Sequence, residues 1–123
     1  MNVLNGKRIL VVEDDPLTAT DLLQSLEAMG ADVAGPFSRV DDALRRLDDA
    51  APVEGAILDI QVGGDVVYRL VDRLRLLGVP VIFATGVDER DIPEAYRDVA
   101  RYPKPYRIED MVRGFVAPQR PPA

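Results

Sequence analysis

Short apolar runs alternate with amphipathic stretches along the 123 residues of this chain. Runs rich in β-branched residues predict strands that are buried on both faces of a parallel sheet. The predicted strands are 8–12, 55–60 and 80–84, a weak edge strand at 32–35 and a marginal strand at 100–103. Apolar residues also recur at helical spacing, which predicts amphipathic helices. The predicted helices are 16–29, 38–47, 65–77 and 108–116.

The stretch from residue 87 to residue 101 departs from this pattern. It is polar and is interrupted by Pro93, so it allows at most one short helix, at 93–99. Elsewhere strand and helix alternate, which predicts an α/β fold. We expect a doubly wound five-stranded parallel sheet with helices on both faces, in which the fourth helix is reduced or remodelled. One domain is predicted over residues 1–117, followed by a flexible tail at 118–123.

Composition narrows the chemistry that the chain can perform. It has no cysteine and no histidine, which excludes disulfides, thiolate or Ser-His nucleophiles and imidazole-bound metals. Any metal ion must bind to oxygen ligands, which favours a hard cation such as Mg²⁺. A net charge of −6 argues against nucleic-acid binding. No apolar run reaches the length of a membrane span and the first residues lack a signal-peptide pattern, so we expect a cytoplasmic domain without membrane contact.

Hydrophilic side chains follow four of the predicted strands, at the point where each strand ends. These residues are Glu13, Asp14, Asp59, Thr85 and Lys104. Ligands of open parallel sheets bind at the carboxyl ends of the strands, so we expect these side chains to converge on one crevice. Carboxylates at such short range repel each other unless one is protonated or a cation lies among them. The sequence therefore predicts a cation site at this edge of the sheet.

The same set of side chains suits phosphoryl transfer. The carboxylate of Asp59 can attack phosphorus and form an acyl phosphate. A metal ion, the Lys104 ammonium and the Thr85 hydroxyl would then stabilise charge on the phosphoryl oxygens. Taken singly, each residue has an ordinary interpretation as a helix cap, a turn residue or a surface charge. Four strand ends together favour a functional site.

In their order and spacing these residues resemble the receiver domain of two-component response regulators, a CheY-like family, over about residues 7–116. The resemblance implies a flavodoxin-like sheet with strand order 2-1-3-4-5. It implies that Asp59 is the phosphoacceptor, that Thr85 and Lys104 bind the phosphoryl group, and that the Lys104–Pro105 peptide is cis. It also implies Mg²⁺, with Mn²⁺ as a substitute, and no organic cofactor. The implied metal ligands are Glu13, Asp14, Asp59 and the backbone carbonyl of Gln61.

A narrower resemblance lies in Phe83-Ala84-Thr85-Gly86. This segment is similar to the motif of the FAT GUY group of single-domain response regulators, which is associated with alphaproteobacterial signalling and the general stress response. Val87-Asp88 stands where the group carries its tyrosine. Receivers also carry a switch aromatic three residues before the lysine, and here Arg101 holds that position and Tyr102 follows it. Tyr102 and Gly86 are therefore the candidate switch residues.

The resemblance also implies partners and a mode of action. The phosphoryl donor would be a phosphohistidine on a sensor histidine kinase or a histidine phosphotransfer protein. The chain would act as a protein-interaction switch or as a phosphate sink, with a downstream signalling protein as a further partner. We expect a monomer or weak dimer that catalyses only its own phosphorylation and dephosphorylation. Gly63-Gly64 predicts a mobile loop that leaves the donor an open route.

Two other functions remain open from the sequence. An aspartate-nucleophile phosphohydrolase would need a second acid two residues after Asp59, where Gln61 stands. A pseudo-receiver would bind partners without being phosphorylated, although all five side chains of the motif are present. A nucleotide-binding fold is disfavoured because no glycine-rich phosphate loop follows the first strand.

Overall fold

Strands and helices alternate along residues 3–49 and 51–116, the part of the chain that the computed structural model describes. The strands are β1 (Arg8–Val12), β2 (Asp32–Phe37), β3 (Gly55–Leu58), β4 (Gln61–Val62), β5 (Asp65–Val66), β6 (Val81–Thr85) and β7 (Ala100–Pro103). The helices are α1 (Pro16–Ala28), α2 (Val40–Asp49), α3 (Tyr68–Leu76) and α4 (Ile108–Val116). Within this part of the chain, every helix is too short or too polar to cross a bilayer.

Five strands form one parallel sheet in the order β2-β1-β3-β6-β7. This is the predicted order 2-1-3-4-5 once the separate β4-β5 pair is set aside, so the flavodoxin-like prediction is confirmed. In the centre of the sheet Val12 pairs with Leu58, and Leu58 pairs with Phe83. The carboxyl ends of β1, β3 and β6 therefore lie side by side.

Alternate side chains of the central strands enter two separate hydrophobic cores. Leu10, Leu58 and Phe83 belong to the core that includes residues of α2 and α3. Ile9 and Ile57 belong to the core that includes residues of α1 and α4. The period of two in a strand explains this division. Because both faces of the sheet are covered by helices, the central strands are apolar without interruption.

Residues 61–66 differ from their predicted structure. The sequence predicts a mobile turn at 61–64 and a helix from residue 65, but β4 and β5 pair as an antiparallel hairpin and α3 begins at Tyr68. Gly63 and Gly64 form the turn with φ of 58° and 79°. Two consecutive left-handed residues are what a two-residue hairpin of type I′ requires, and glycine adopts that conformation without steric cost.

The second strand is also longer than predicted. It continues past residue 35 to Phe37, through a cis peptide between Gly35 and Pro36. At the other end of the sheet, the prediction of a reduced fourth helix is confirmed. Two single 3₁₀ turns, Glu89–Asp91 and Glu94–Tyr96, stand in place of the helix predicted at 93–99.

The predicted domain limits reach beyond the residues that the structure describes. Residue 117 and the tail predicted at 118–123 lie outside the described residues. The limits 1–117 and the flexible tail therefore stay predictions.

Candidate functional site

Backbone hydrogen bonds fix two acids at the carboxyl edge of the sheet. The N–H of Glu13 donates to the carbonyl of Phe37 at 2.9 Å, and the N–H of Asp59 donates to the carbonyl of Val12 at 2.9 Å. Each acid thus extends the sheet ladder one residue beyond its strand. Because the central strands are buried on both faces, these two positions are held rigidly at the site.

Lys104 joins the two acids through its side chain. Its Nζ lies 2.8 Å from Glu13 Oε1 and 2.9 Å from Asp59 Oδ2. The Lys104 N–H also donates to the carbonyl of Thr85 at 3.2 Å, which holds its backbone against β6. The Lys104–Pro105 peptide is cis, as predicted. We call Glu13, Asp59 and Lys104 the carboxylate–lysine centre.

Burial and charge oppose each other in this centre. The Glu13 side chain is 2% exposed and that of Asp59 is 11% exposed. Burial raises the pKa of Glu13, and the hydrogen bonds from Lys104 and from the Asp15 N–H offset part of that rise. Burial lowers the pKa of Lys104, but its hydrogen bonds to Glu13 and Asp59 outweigh this effect and the net shift is upward. The ammonium form of Lys104 is thus the form that the site holds.

Asp14 completes an acidic cluster beside this centre. Glu13, Asp14 and Asp59 each offer a carboxylate oxygen, and the three oxygens lie within 4.8 Å of one another. The exposed Asp14 accepts a hydrogen bond from the Gly63 N–H through Oδ2 at 3.0 Å, so the hairpin adjoins the cluster. Gln61 lines one cavity with Asp59 and another with Asp14. A set of hard oxygen donors with some solvent access fits Mg²⁺ or Mn²⁺.

The cavity that Asp59 and Gln61 line has a volume of about 600 Å³. Asp59, Thr85, Gly86 and Val87 all contribute to its lining. Thr85 is fully buried at the end of β6, and its Oγ1 accepts a hydrogen bond from the Val87 N–H at 3.1 Å. The Thr85 hydroxyl hydrogen is not used in that bond, so it can be donated to a group held at Asp59.

The predicted site residues are not all brought together. Glu13, Asp14, Asp59 and Lys104 surround one point, and Thr85 and Gly86 share a cavity with Asp59. Tyr102 packs on the other face of the sheet, in the core formed with α1 and α4. A switch role for Tyr102 stays a prediction, and its position separates it from the lining of the Thr85 cavity.

Sequence reasoning missed two contacts of this site. The first is the Gly63 N–H on Asp14, which the Gly-Gly pair between short β-forming segments could have indicated as a hairpin turn. The second is Arg101, whose Nε donates to the carbonyl of Val87 at 2.9 Å. Strand alternation offered a signal here, because Arg101 pairs with Phe83 and therefore faces the Thr85 side of the sheet.

Sheet order and the cluster of carboxylates, lysine and threonine at its carboxyl edge together define a CheY-like class of α/β protein. The chain belongs to the family of response regulator receiver domains. It is similar to SdrG from Sphingomonas melonis Fr1, with 30% identity and a TM-score of 0.76, over 93% of this chain and 95% of SdrG. No family model matches the chain.

Two larger relatives match only in part. The phyllosphere-induced regulator PhyR of Methylorubrum extorquens is 33% identical over 84 residues, which are 67% of this chain and 32% of PhyR. PhyR from Brucella abortus is 29% identical with a TM-score of 0.73, over 94% of this chain and 49% of that protein. The chain thus spans about a third to a half of the length of these PhyR proteins.

Proposed function

We propose that the chain is a receiver of a two-component His-Asp phosphorelay and that Asp59 accepts the phosphoryl group. The observation that carries this proposal is that Asp59 accepts a hydrogen bond from the Lys104 ammonium and also lines the cavity that contains Thr85. A carboxylate held in this way is paired with a cation and borders a space that can hold a phosphorus group. We propose that the reaction depends on Mg²⁺. We also propose that the chain is a member of the FAT GUY group of single-domain response regulators.

The proposed transfer needs few groups. A carboxylate oxygen of Asp59 forms a bond to phosphorus while the bond from phosphorus to the donor's imidazole nitrogen breaks. The electron pair of that broken bond leaves with the imidazole, and the product is an aspartyl phosphate. The Lys104 ammonium and the Thr85 hydroxyl donate to phosphoryl oxygens, whose negative charge grows in the transition state.

Three carboxylates within 4.8 Å of one another, only partly balanced by one lysine, fit a divalent cation. Glu13, Asp14, Asp59 and the carbonyl of Gln61 would hold it. When bound, the cation would neutralise charge on the carboxylates and on the phosphoryl oxygens. The chain's own contribution is to place these oxygens at two adjacent strand ends and on β4 of the hairpin.

Partners follow from the chemistry of the donor. These 123 residues contain no histidine, so the phosphohistidine lies outside them, and we propose that a sensor kinase or a histidine phosphotransfer protein carries it. SdrG adopts a BeF3-activated conformation in solution and is 28% identical to this chain, which supports our proposal of an activated state here. PhyR of Bartonella quintana is an anti-anti-sigma factor, but this chain covers only 47% of that protein. We therefore propose a cytoplasmic switch or phosphate sink in a stress response, monomeric or weakly dimeric, with an output through protein binding.

The experiment is incubation with acetyl phosphate and Mg²⁺ followed by intact-mass analysis. We expect one phosphoryl group on the wild type and none on Asp59→Asn, which keeps the shape of the side chain. Asp65→Asn is a matched control, because it removes a partly exposed carboxylate of the nearby hairpin that pairs with Arg69, and it should leave the phosphoryl group in place. Modification of Asp59→Asn, or none on the wild type, would refute the assignment.

Two further measurements separate the alternatives. A phosphohydrolase would turn over a small phosphoester many times, whereas the proposed receiver consumes one donor per Asp59 until it loses its phosphoryl group. A switch would change the amide NMR shifts of residues 86–102 on addition of BeF₃⁻ and Mg²⁺, because their two 3₁₀ turns offer low local stability. Unchanged shifts there would favour the phosphate sink.

A further inference from the structure

We propose that Arg101 is a positioning residue that holds the Thr85 hydroxyl in its donating orientation, through the backbone of Val87. The inference rests on the proposed function, since it concerns the group that meets the phosphoryl oxygens on Asp59. In this inference, the side chain of Arg101 connects β7 to Thr85.

The first step is the orientation of the Thr85 hydroxyl. Thr85 is fully buried, and its Oγ1 accepts a hydrogen bond from the Val87 N–H at 3.1 Å. A hydroxyl has one hydrogen and two lone pairs. While the Val87 N–H occupies a lone pair, the hydroxyl hydrogen stays free for an acceptor in the cavity that Asp59 also lines. If that N–H turned away, Thr85 could rotate and lose its preferred donor direction.

The second step is what holds Val87. The Arg101 Nε donates to the Val87 carbonyl at 2.9 Å, across 14 positions of sequence. The N–H and the carbonyl of Val87 flank the same Cα, so the two hydrogen bonds together fix both peptide planes of this residue. Arg101 reaches this point because it pairs with Phe83, two residues before Thr85, and so faces the same side of the sheet as Thr85.

The third step is the surroundings of this link. The segment after Thr85 has no α-helix to anchor its turn, only the 3₁₀ turns Glu89–Asp91 and Glu94–Tyr96. Among the described residues no carboxylate forms an ion pair with Arg101, in contrast to Arg69, Arg73 and Arg75 on α3. The half-buried guanidinium is therefore directed to a carbonyl of the turn. A merely structural role would hold the segment without affecting Thr85.

A double-mutant cycle between Arg101 and Thr85 distinguishes these roles. The readout is the initial rate of phosphorylation by acetyl phosphate with Mg²⁺, measured by intact mass. Loss of a whole transition-state donor costs roughly a hundredfold in rate or more, so loss of its orientation in Arg101→Gln should cost about tenfold. In a Thr85→Ala background the same substitution should change the rate by less than about twofold, because the group it orients is gone.

Two further variants make the double-mutant cycle more specific. Arg101→Lys keeps the charge but loses the Nε donor, and should behave like Arg101→Gln. Arg97→Gln is the matched control, because it removes a similar bond, from Nε to the Ile92 carbonyl at 2.8 Å, within the same segment. We expect Arg97→Gln to leave the rate within about twofold of wild type. In the unphosphorylated protein, Arg101→Gln should also shift the Val87 amide resonance and raise its hydrogen-exchange rate.

Each outcome bears on the inference. Equal effects of Arg101→Gln in both backgrounds would overturn it, as would an effect of Arg97→Gln of the same size or a wild-type rate in Arg101→Lys. These results leave the proposed function intact, because Asp59 is still phosphorylated. Absence of phosphorylation in the wild type would overturn the proposed function and this inference together.

Discussion

The two halves of the site are held together by different physical means. One half, which we call the charged half, is the carboxylate–lysine centre. It joins residues 91 and 45 positions apart through ion pairs at 2.8 and 2.9 Å. The other half, which we call the turn half, consists of Thr85, Val87 and Arg101. These residues are linked by neutral backbone groups and one guanidinium. The first half lies on strand ends, and the second lies at the start of a segment without an α-helix.

This difference divides the work of the site. Buried carboxylates need a fixed counter-charge, so the charged half has to be formed before any donor arrives. The hydrogen bonds of the turn half are individually weaker and can be exchanged at small cost. We therefore expect the charged half to determine stability and the turn half to respond to phosphorylation. The following predictions test that division from the largest expected effect to the smallest.

Removing the ammonium of Lys104 should destabilise the charged half. Lys104→Met keeps most of the side-chain stem but leaves Glu13 and Asp59 facing each other without a cation. Loss of one partner of a buried pair costs roughly 3–5 kcal/mol. Because the Lys104 side chain is 30% exposed, we expect solvent to reduce the loss to about 2 kcal/mol of unfolding free energy at neutral pH.

Urea unfolding in the presence of a chelator measures this effect. Lys7→Met is the matched control, since Lys7 forms no ion pair with the described residues. Addition of Mg²⁺ should restore part of the stability of Lys104→Met, because a cation then lies among the carboxylates. Equal stabilities of the two variants would contradict the idea that Lys104 holds the charged half together.

The hairpin that contacts Asp14 allows a finer comparison. A Cβ at Gly63 would lie 2.9 Å from the Ser38 carbonyl oxygen, whereas one at Gly64 would meet nothing within 4 Å. Both glycines have positive φ, which costs an alanine about 1 kcal/mol. Gly63→Ala should therefore lose about 2 kcal/mol of unfolding free energy, and Gly64→Ala only about 1 kcal/mol.

The same pair of variants reports on the cation site. Gly63→Ala should also weaken Mn²⁺ binding, because the Gly63 N–H that holds Asp14 moves with the turn. Titration followed by the electron paramagnetic resonance of free Mn²⁺ gives the affinity. Equal losses of stability and affinity in Gly63→Ala and Gly64→Ala would mean that the contact with Ser38 is not a constraint.

The charged half could be predicted from the sequence and the turn half only in part. Apolar strands that stop at Glu13 and Asp59 define their own ends, Lys104 follows the marginal strand predicted at 100–103, and parallel topology then brings those ends together. The link from Arg101 to Val87 depends on the path of an irregular segment, which hydrophobic periodicity does not describe. The sequence does not predict the hairpin at 61–66 because residues 61–64 fit a flexible turn, and Val66 and Val67 fit the apolar spacing of the helix that follows.

Tyr96 anchors the irregular segment, residues 86–99, to α3. This segment begins in the turn half of the site. Its ring stacks on Tyr68 with centroids 4.5 Å apart, Arg75 lies 5.4 Å from its centroid, and its hydroxyl donates to Asp72 at 2.8 Å. Tyr96→Ala should lower the unfolding free energy by about 1 to 1.5 kcal/mol. Tyr96→Phe keeps the ring contacts and should lose about 0.5 kcal/mol.

Hydrogen exchange shows where this stability is lost. In Tyr96→Ala we expect faster exchange in residues 86–99 and unchanged exchange in β1 and β3, because the segment opens without the sheet. Faster exchange throughout the sheet would mean that the segment unfolds only with the whole domain. The two halves of the site would then not be separable.

Tyr106 lies beside the charged half, and its hydroxyl provides the smallest test. That oxygen is buried and has no hydrogen-bond partner among the described residues. Burial raises the pKa of Tyr106 to about 12 from an ordinary value of 10.0. An unpaired buried hydroxyl is unfavourable, so Tyr106→Phe should raise the unfolding free energy by up to about 1 kcal/mol.

The pH dependence gives Tyr106→Phe a second readout. The raised pKa means that the folded state favours the protonated phenol, so its contribution is complete below pH 10.0 and is lost as the pH rises towards about 12. Wild type should therefore lose more stability than Tyr106→Phe over that interval in urea unfolding. A variant that is less stable than wild type at neutral pH would indicate that the hydroxyl has a partner, and that the charged half extends to residue 106.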